Sequence, residues 1–172
     1  MTTRLQEKIR DVENFPKEGV LFRDITPLLH DGQCFSESIE AFKALCADLD
    51  FDFIVGPESR GFIFGTPLAY ALKKGFIPVR KPGKLPCETV TFEYDLEYGC
   101  DRLEMHKDAI KAGDKVVIVD DLLATGGTIA SAVQLIEQLG GEVVGIFVLI
   151  ELMELKGKDK LTDYVVRSIL QY

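Results

Sequence analysis

Two adjacent carboxylates, Asp120 and Asp121, stand two residues ahead of a small glycine-rich turn, Ala124-Thr125-Gly126-Gly127-Thr128. The backbone N–H groups of Thr125 to Thr128 would crowd the start of a helix. Such a start attracts an anion, because its N–H groups lack intrahelical partners and the helix dipole is positive there. Glycine at 126 and 127 would let a phosphate approach the main chain with no Cβ in the way. A phosphate alone gains nothing from neighbouring carboxylates, whereas vicinal sugar hydroxyls do, since paired acceptors suit two adjacent donors. Acids before the turn and donors within it together describe a ribose 5-phosphate site. Two solvated acids at a strand end before an ordinary helix cap would explain a lone Asp-Asp, but not the combination.

The segments around these residues must hold them in place. Val116 to Val119 is an unbroken apolar run that reads as a buried strand. After the turn, Ile129, Ala132, Val133, Ile136 and Leu139 recur at helical spacing. The same rhythm starts earlier. Phe53-Ile54-Val55 is a short strand, Gly65, Leu68, Ala69 and Leu72 line one face of a helix, and Phe76 to Val79 and Val143 to Leu149 are further strands. This alternation predicts an α/β fold with a parallel sheet flanked by helices. Ligands in such folds collect in the loops beyond the strand ends. Nearer the N-terminus, Thr3 to Val12 reads as a short helix, Val20 to Phe22 as an extended segment, and Phe35 to Leu49 as an amphipathic helix. Residues 88–105 break the rhythm. Val90, Phe92 and Tyr94 alternate with polar residues, as do Leu103 and Met105, which predicts an antiparallel excursion with a polar tip at 95–102. From the residues alone it is either a lid or a simple surface hairpin.

Composition narrows the function. The 172 residues suit one domain, with 47% hydrophobic and 28% charged residues as in ordinary globular chains. A net charge of −8 argues against a general nucleic-acid or membrane-surface binder. The four cysteines form no CxxC pair and the two histidines are isolated, so a zinc site is not expected and reduced thiols in a cytoplasmic protein are. The longest apolar run, Val143 to Ile150, is too short to span a bilayer.

Three further groups could do chemistry. Arg60 lies in the loop Gly56 to Gly61, where its planar fork could hold phosphate oxygens. Arg80, Lys81 and Lys84 make a basic cluster bent by Pro82-Gly83, suited either to a diphosphate or to a solvated turn. Phe22 and Leu122 are ordinary core residues or the two walls of a slot for a flat base.

The segments GVLFRDITPLL (19–29), ESRGFIFG (58–65), RKPGKLP (80–86), LEYG (96–99), DDLLATGGT (120–128) and SILQY (168–172) together resemble the adenine-using branch of the type I phosphoribosyltransferase family, in that family's order. The resemblance implies transfer of a 5-phosphoribosyl group from phosphoribosyl diphosphate to adenine, giving AMP and diphosphate, with Mg²⁺ as cofactor. It implies one domain over residues 1–172, with a small hood from about 1–30 and the C-terminal tail, a flexible lid at about 88–105, and a homodimer. By residue, it assigns the phosphoribosyl group to Asp120, Asp121, Ala124, Thr125, Gly126, Gly127 and Thr128. Diphosphate falls to Glu58, Ser59, Arg60, Lys81 and Lys84, with a cis peptide at Glu58–Ser59. Adenine falls to Phe22 and Leu122 as walls and to the backbone of Leu21 and Arg23 at its edge. No residue is assigned as a direct metal ligand, because Mg²⁺ rides on substrate oxygens and water. The LEYG context selects Glu97 as the catalytic residue on the lid, beside Tyr98, and leaves Glu104 as a bystander. Two rivals are a transferase for another base and a phosphoribosyl-diphosphate-sensing regulator. GVLFRD favours adenine over oxo-purines, and the short N-terminal region offers no helix-turn-helix to a regulator.

Overall fold

The computed structural model describes residues 2–96 and 99–172, and the side chains of all of these except 2, 94–96 and 99–101. Five parallel strands form the central sheet: β3 (Phe53–Pro57), β4 (Gly75–Val79), β7 (Lys115–Leu123), β8 (Glu142–Glu151) and β9 (Val166–Gln171), in the order β4-β3-β7-β8-β9. The apolar runs of β3, β7 and β8 are buried on both faces, which is why they read as continuous rather than alternating. Helices α3 (Gly32–Cys46) and α4 (Arg60–Leu72) cover one face, with Phe42, Phe64 and Phe147 fully buried between them and the sheet. Helix α5 (Gly127–Gln138) covers the other, burying Ile129, Ala132, Val133 and Ile136 against Val116 and Ile118.

The fifth strand was not legible in the sequence. Residues 166–171, in the C-terminal tail expected to contribute to the hood, pair with β8 from Ile146↔Val166 to Glu151↔Gln171. Leu170 is buried there, and Arg167 reaches the Asp48 carboxylate and the Leu45 carbonyl, so one side chain fastens the strand to the end of α3. The terminal Tyr172 does reach the hood, with the Arg23 guanidinium 4.1 Å from its ring centre.

The hood itself departs from the expected helix over Thr3–Val12. Helix α1 stops after Thr2–Gln6, and β1 (Arg10–Glu13) turns back to pair antiparallel with β2 (Leu21–Asp24). Opposite charges meet across this ribbon: Arg10 bonds Asp24 and Arg23 bonds Asp11. Those cross-strand pairs outweigh a weak helical period that one short segment could not sustain alone. A five-residue helix, α2 (Thr26–His30), joins the ribbon to α3, whose start is capped by the Asp31 carboxylate accepting from the N–H groups of Gln33 and Cys34.

Residues 88–105 form the expected antiparallel ribbon, β5 (Thr89–Leu96) with β6 (Gly99–His106). Pairing runs from Thr89↔His106 to Leu96↔Gly99, so most of the polar segment expected as a tip is strand. Leu103 and Met105 are buried, and Val90 and Phe92 half-buried, in the core beneath α5.

Candidate active site

Strand β7 carries the acids further inward than expected. It does not end at Asp120 but runs through both carboxylates to Leu123, leaving Asp120 only 8% and Asp121 only 3% exposed. The alternation of faces slips across the pair. Val117 and Val119 pack on the α3–α4 side and Val116 and Ile118 on the α5 side, but beyond the acids Leu122 joins the former and Leu123 the latter. The Asp120 Oδ1 accepts the Asp121 N–H at 2.8 Å, and Arg60 Nε lies 3.1 Å from Asp121 Oδ2. That last contact is an ion pair without hydrogen-bond alignment, so Asp121 Oδ2 stays buried and unsatisfied. Burial, then the charge of Asp121, pushes the Asp120 carboxyl well above its ordinary pKa. Burial also raises Asp121, against the pull of Arg60.

The turn after β7 leads into α5 through Gly126, whose φ of +79° is a left-handed conformation that a side chain would resist. No side chain caps this helix start, so its first N–H groups face a cleft of about 220 Å³. Asp120, Asp121, Leu122, Ala124, Thr125, Gly126, Gly127 and Thr128 line that cleft together with Glu58, Ser59 and Arg60. The sequence-based site residues of two distant loops therefore share one cavity. The Glu58–Ser59 peptide is cis.

The Glu58 side chain also meets the basic loop. Its Oε2 accepts from Arg80 Nε at 3.0 Å and from the Lys81 N–H at 2.8 Å. This carboxylate ties the strand end to the basic loop. From the other side, Glu104 pairs with Arg80 through both backbone groups, and its Oε2 accepts the Gly83 N–H at 3.1 Å. Glu104 was expected to be a bystander. In the fold, Glu58 and Glu104 contact the loop that carries Lys81 and Lys84 from its two sides.

On the hood side, Phe22 lines a mostly apolar pocket of about 450 Å³ that also includes Arg60. The Arg60 guanidinium lies 5.3 Å from the Phe22 ring centre, so one cation touches both the acid pair and the aromatic wall. Leu122 lines the cleft of the acid pair and Phe22 the hood pocket, with Arg60 common to both. Leu21 and Arg23 flank Phe22 on β2, which pairs with β1 along one edge in a two-stranded ribbon. Glu97 and Tyr98 lie outside the described residues.

The phosphoribosyl transferase domain family matches residues 30–172. A curated adenine phosphoribosyltransferase from Clostridium botulinum is 61% identical over 168 residues, 98% of each chain. The chain belongs to the adenine phosphoribosyltransferase family. The fold agrees throughout. The crystal structure of adenine phosphoribosyltransferase from Thermoanaerobacter pseudethanolicus superposes with a TM-score of 0.98 at 52% identity, covering 100% of both chains. That of the Saccharomyces cerevisiae enzyme, complexed with an imino-altritol bisphosphate and adenine, does so with a TM-score of 0.93 at 43% identity, covering 98% of this chain and 97% of that one. The family thus accounts for a cleft joining an acid pair, an uncapped helix start and an aromatic-walled pocket.

Signals for three participants lay in the sequence without being decipherable there. Gly157 and Lys158 belong to a stretch, Lys156 to Lys160, that composition marks as a charged surface turn, yet Gly157 is buried, and Glu151 ends strand β8. The contact of Gly157 with the Ala124–Thr128 turn depends on how β8 and β7 align.

Proposed function

We propose that this chain transfers the 5-phosphoribosyl group of phosphoribosyl diphosphate to adenine, producing AMP and diphosphate, with the roles distributed as follows. The observation that carries the reading is the single cleft in which a buried acid pair adjoins an uncapped helix start, with Arg60 connecting it to the Phe22 pocket. Gly126, Gly127 and Thr128, with Ala124 and Thr125, hold the 5-phosphate through backbone N–H groups. Asp120 and Asp121 accept from the ribose hydroxyls. Ser59, Arg60, Lys81 and Lys84 attract the diphosphate, while Glu58 orients the basic loop. Adenine lies between Phe22 and Leu122, and the free edge of β2 offers Leu21 and Arg23 backbone groups to its acceptor N1 and donor N6.

As diphosphate leaves, the sugar C1 gains positive charge, which the acid pair favours electrostatically, and adenine N9 attacks the opposite face. Closure of the 88–105 ribbon excludes the water that would otherwise hydrolyse the sugar. Glu97, on that ribbon, is the residue to which proton exchange with the imidazole ring of adenine is assigned. Glu97→Ala should lower kcat by about 10²–10⁴-fold with a much smaller change in adenine KM, and near-normal kcat in the folded variant would remove Glu97 from the chemistry.

Mg²⁺ fits as a partner of the diphosphate. Among the described residues no group of three or more His, Cys, Asp or Glu could cage an ion, while Asp121 Oδ2 is buried without a hydrogen-bond partner. An ion here would take most of its ligands from substrate and water, with the acid pair as its nearest protein support. When bound it supplies charge neutralisation on the leaving group. The protein works in the cytoplasm as a pair of identical chains. No helix among the described residues is long and apolar enough to cross a membrane.

The deciding experiment is incubation with labelled phosphoribosyl diphosphate, Mg²⁺ and each of adenine, hypoxanthine and guanine, with product identification. Adenine should turn over far faster. Hypoxanthine reverses N1 from acceptor to donor, and a mismatched buried polar group costs about 1–3 kcal/mol. Comparable specificity constants for adenine and hypoxanthine would reassign the base.

A further inference from the structure

We infer that Gly157 is a positioning residue for the phosphate turn: its main chain, packed against Ala124 and Gly126, fixes where the turn's N–H groups point, and the Glu151–Lys158 ion pair keeps it there. The inference rests on the reading of Ala124–Thr128 as the phosphate site.

The contact is one of backbone on backbone. A Cβ placed on Gly157 would lie 2.3 Å from the Ala124 carbonyl oxygen, 2.9 Å from Leu123 Cδ1 and 3.1 Å from the Gly126 nitrogen. A Cβ placed on Gly126 would lie 2.6 Å from the Gly157 carbonyl oxygen. Each glycine therefore occupies the space that the other's side chain would need. At Gly126 the positive φ is a second reason for glycine, but Gly157 has none, so packing alone demands it. Two of these atoms, the Ala124 carbonyl oxygen and the Gly126 nitrogen, belong to the turn's own main chain, which cannot rotate away as the Leu123 side-chain tip could.

What presses Gly157 into place is equally specific. Glu151 ends β8, in register with Leu123 at the end of β7. The Leu152 N–H donates to the Leu123 carbonyl at 3.0 Å, carrying the connection one residue past the sheet. Lys156 then turns the chain with φ +49°, and Lys158 Nζ returns to Glu151 Oε2 at 2.7 Å. The Ser168 hydroxyl donates to the same oxygen at 2.7 Å from the neighbouring strand β9. Burial pushes the Glu151 carboxyl up, but the bonds from Lys158 and Ser168 outweigh it and leave the pKa below its ordinary value. Glu151 is thus a charged anchor, only 4% exposed, holding the Gly157 segment over the turn. A phosphate site built from backbone donors has no side-chain rotamers to adjust, so its geometry is set by whatever the backbone leans on.

The test is calorimetric titration of the full chain with ribose 5-phosphate and, separately, with magnesium diphosphate. Gly157→Ala should weaken ribose 5-phosphate at least about tenfold, because ångström-scale displacement of binding groups is that costly, and leave diphosphate within about twofold. Glu151→Gln keeps an acceptor for Ser168 but removes the charge opposite Lys158, and should weaken ribose 5-phosphate about threefold with diphosphate unchanged. Equal weakening of both ligands, or unchanged ribose 5-phosphate affinity in folded Gly157→Ala, overturns the inference. If that variant does not fold, unchanged affinity in Glu151→Gln overturns it. Wild-type protein that binds diphosphate but not ribose 5-phosphate overturns the phosphate reading itself, and this inference with it.

Discussion

Two regions of this molecule are suited to phosphate, and they are built by opposite means. The Ala124–Thr128 turn has no cation of its own. It offers backbone donors at the start of α5, sits beside a buried acid pair, and leans on another stretch of main chain at Gly157. The Arg80–Lys84 loop offers cationic side chains, and its backbone is clasped between Glu58 and Glu104. Backbone donors select a phosphate by shape and keep it in one place. Lysines select by charge and tolerate a moving partner. A substrate whose 5-phosphate stays while its diphosphate departs needs one of each.

The contrast can be broken most sharply at the turn. Gly127→Val puts a branched side chain at the first residue of α5 and should weaken ribose 5-phosphate and AMP at least about 100-fold while sparing diphosphate. Titration of all three ligands checks this, and retained AMP affinity would take the turn out of the site. The mirror experiment is Lys81→Ala combined with Lys84→Ala. Each lost charge-assisted contact is worth roughly tenfold, so diphosphate should weaken by about that factor or more and ribose 5-phosphate should not change. If both ligands respond, the two regions do not divide the substrate.

The acid pair gives a subtler lever. A carboxyl raised in the folded state binds its proton more tightly there than in the unfolded chain, so it destabilises the protein increasingly as pH climbs from the ordinary carboxyl range through the raised value. Asp120→Asn keeps an acceptor for the Asp121 N–H and removes that cost. It should melt higher than wild type near pH 8, with the difference vanishing near about pH 4. The same variant should bind ribose 5-phosphate several-fold more weakly. Its affinity should also rise less with pH than that of wild type, beyond the rise due to the ligand's own phosphate, whose second pKa is about 6. A melting point below wild type at pH 8 would mean that the pair is already compensated. The smallest effect is expected at Glu104. Glu104→Ala should loosen the basic loop and weaken diphosphate about threefold, and Glu104→Gln, which can still accept the Gly83 N–H, should restore it. Equal affinities in the two variants would assign the clasp to Glu58 and the backbone bridge alone.

The parts visible in the sequence were those fixed by local pattern. Val116–Val119, the helix from Ile129 to Leu139 and the turn between them are contiguous, and their periods survive folding. What stayed hidden depends on distant partners. Arg10–Glu13 becomes a strand because Asp11 and Arg23 meet, and Val166–Gln171 becomes the fifth strand because β8 offers it an edge. The roles of Glu58, Glu104 and Gly157 are likewise set by contacts with residues 21 to 33 positions away, from Gly83 to Glu104 and from Ala124 to Gly157. A residue that orients a loop looks like any other surface acid or turn glycine until the loop is beside it.

Under the proposed role of the β5–β6 ribbon as a cover, its pairing bears on the cost of closure. An unstructured cover must give up about 1–2 kcal/mol of conformational freedom for every residue it orders, and that cost would be drawn from substrate affinity in each turnover. Here the eight cross-strand pairs from Thr89↔His106 to Leu96↔Gly99 are made on folding, and Leu103 and Met105 are buried at the base. The entropy is surrendered once, when the chain folds. The proposed closure is then bending of a paired ribbon about its buried root, and binding energy remains for the reacting groups.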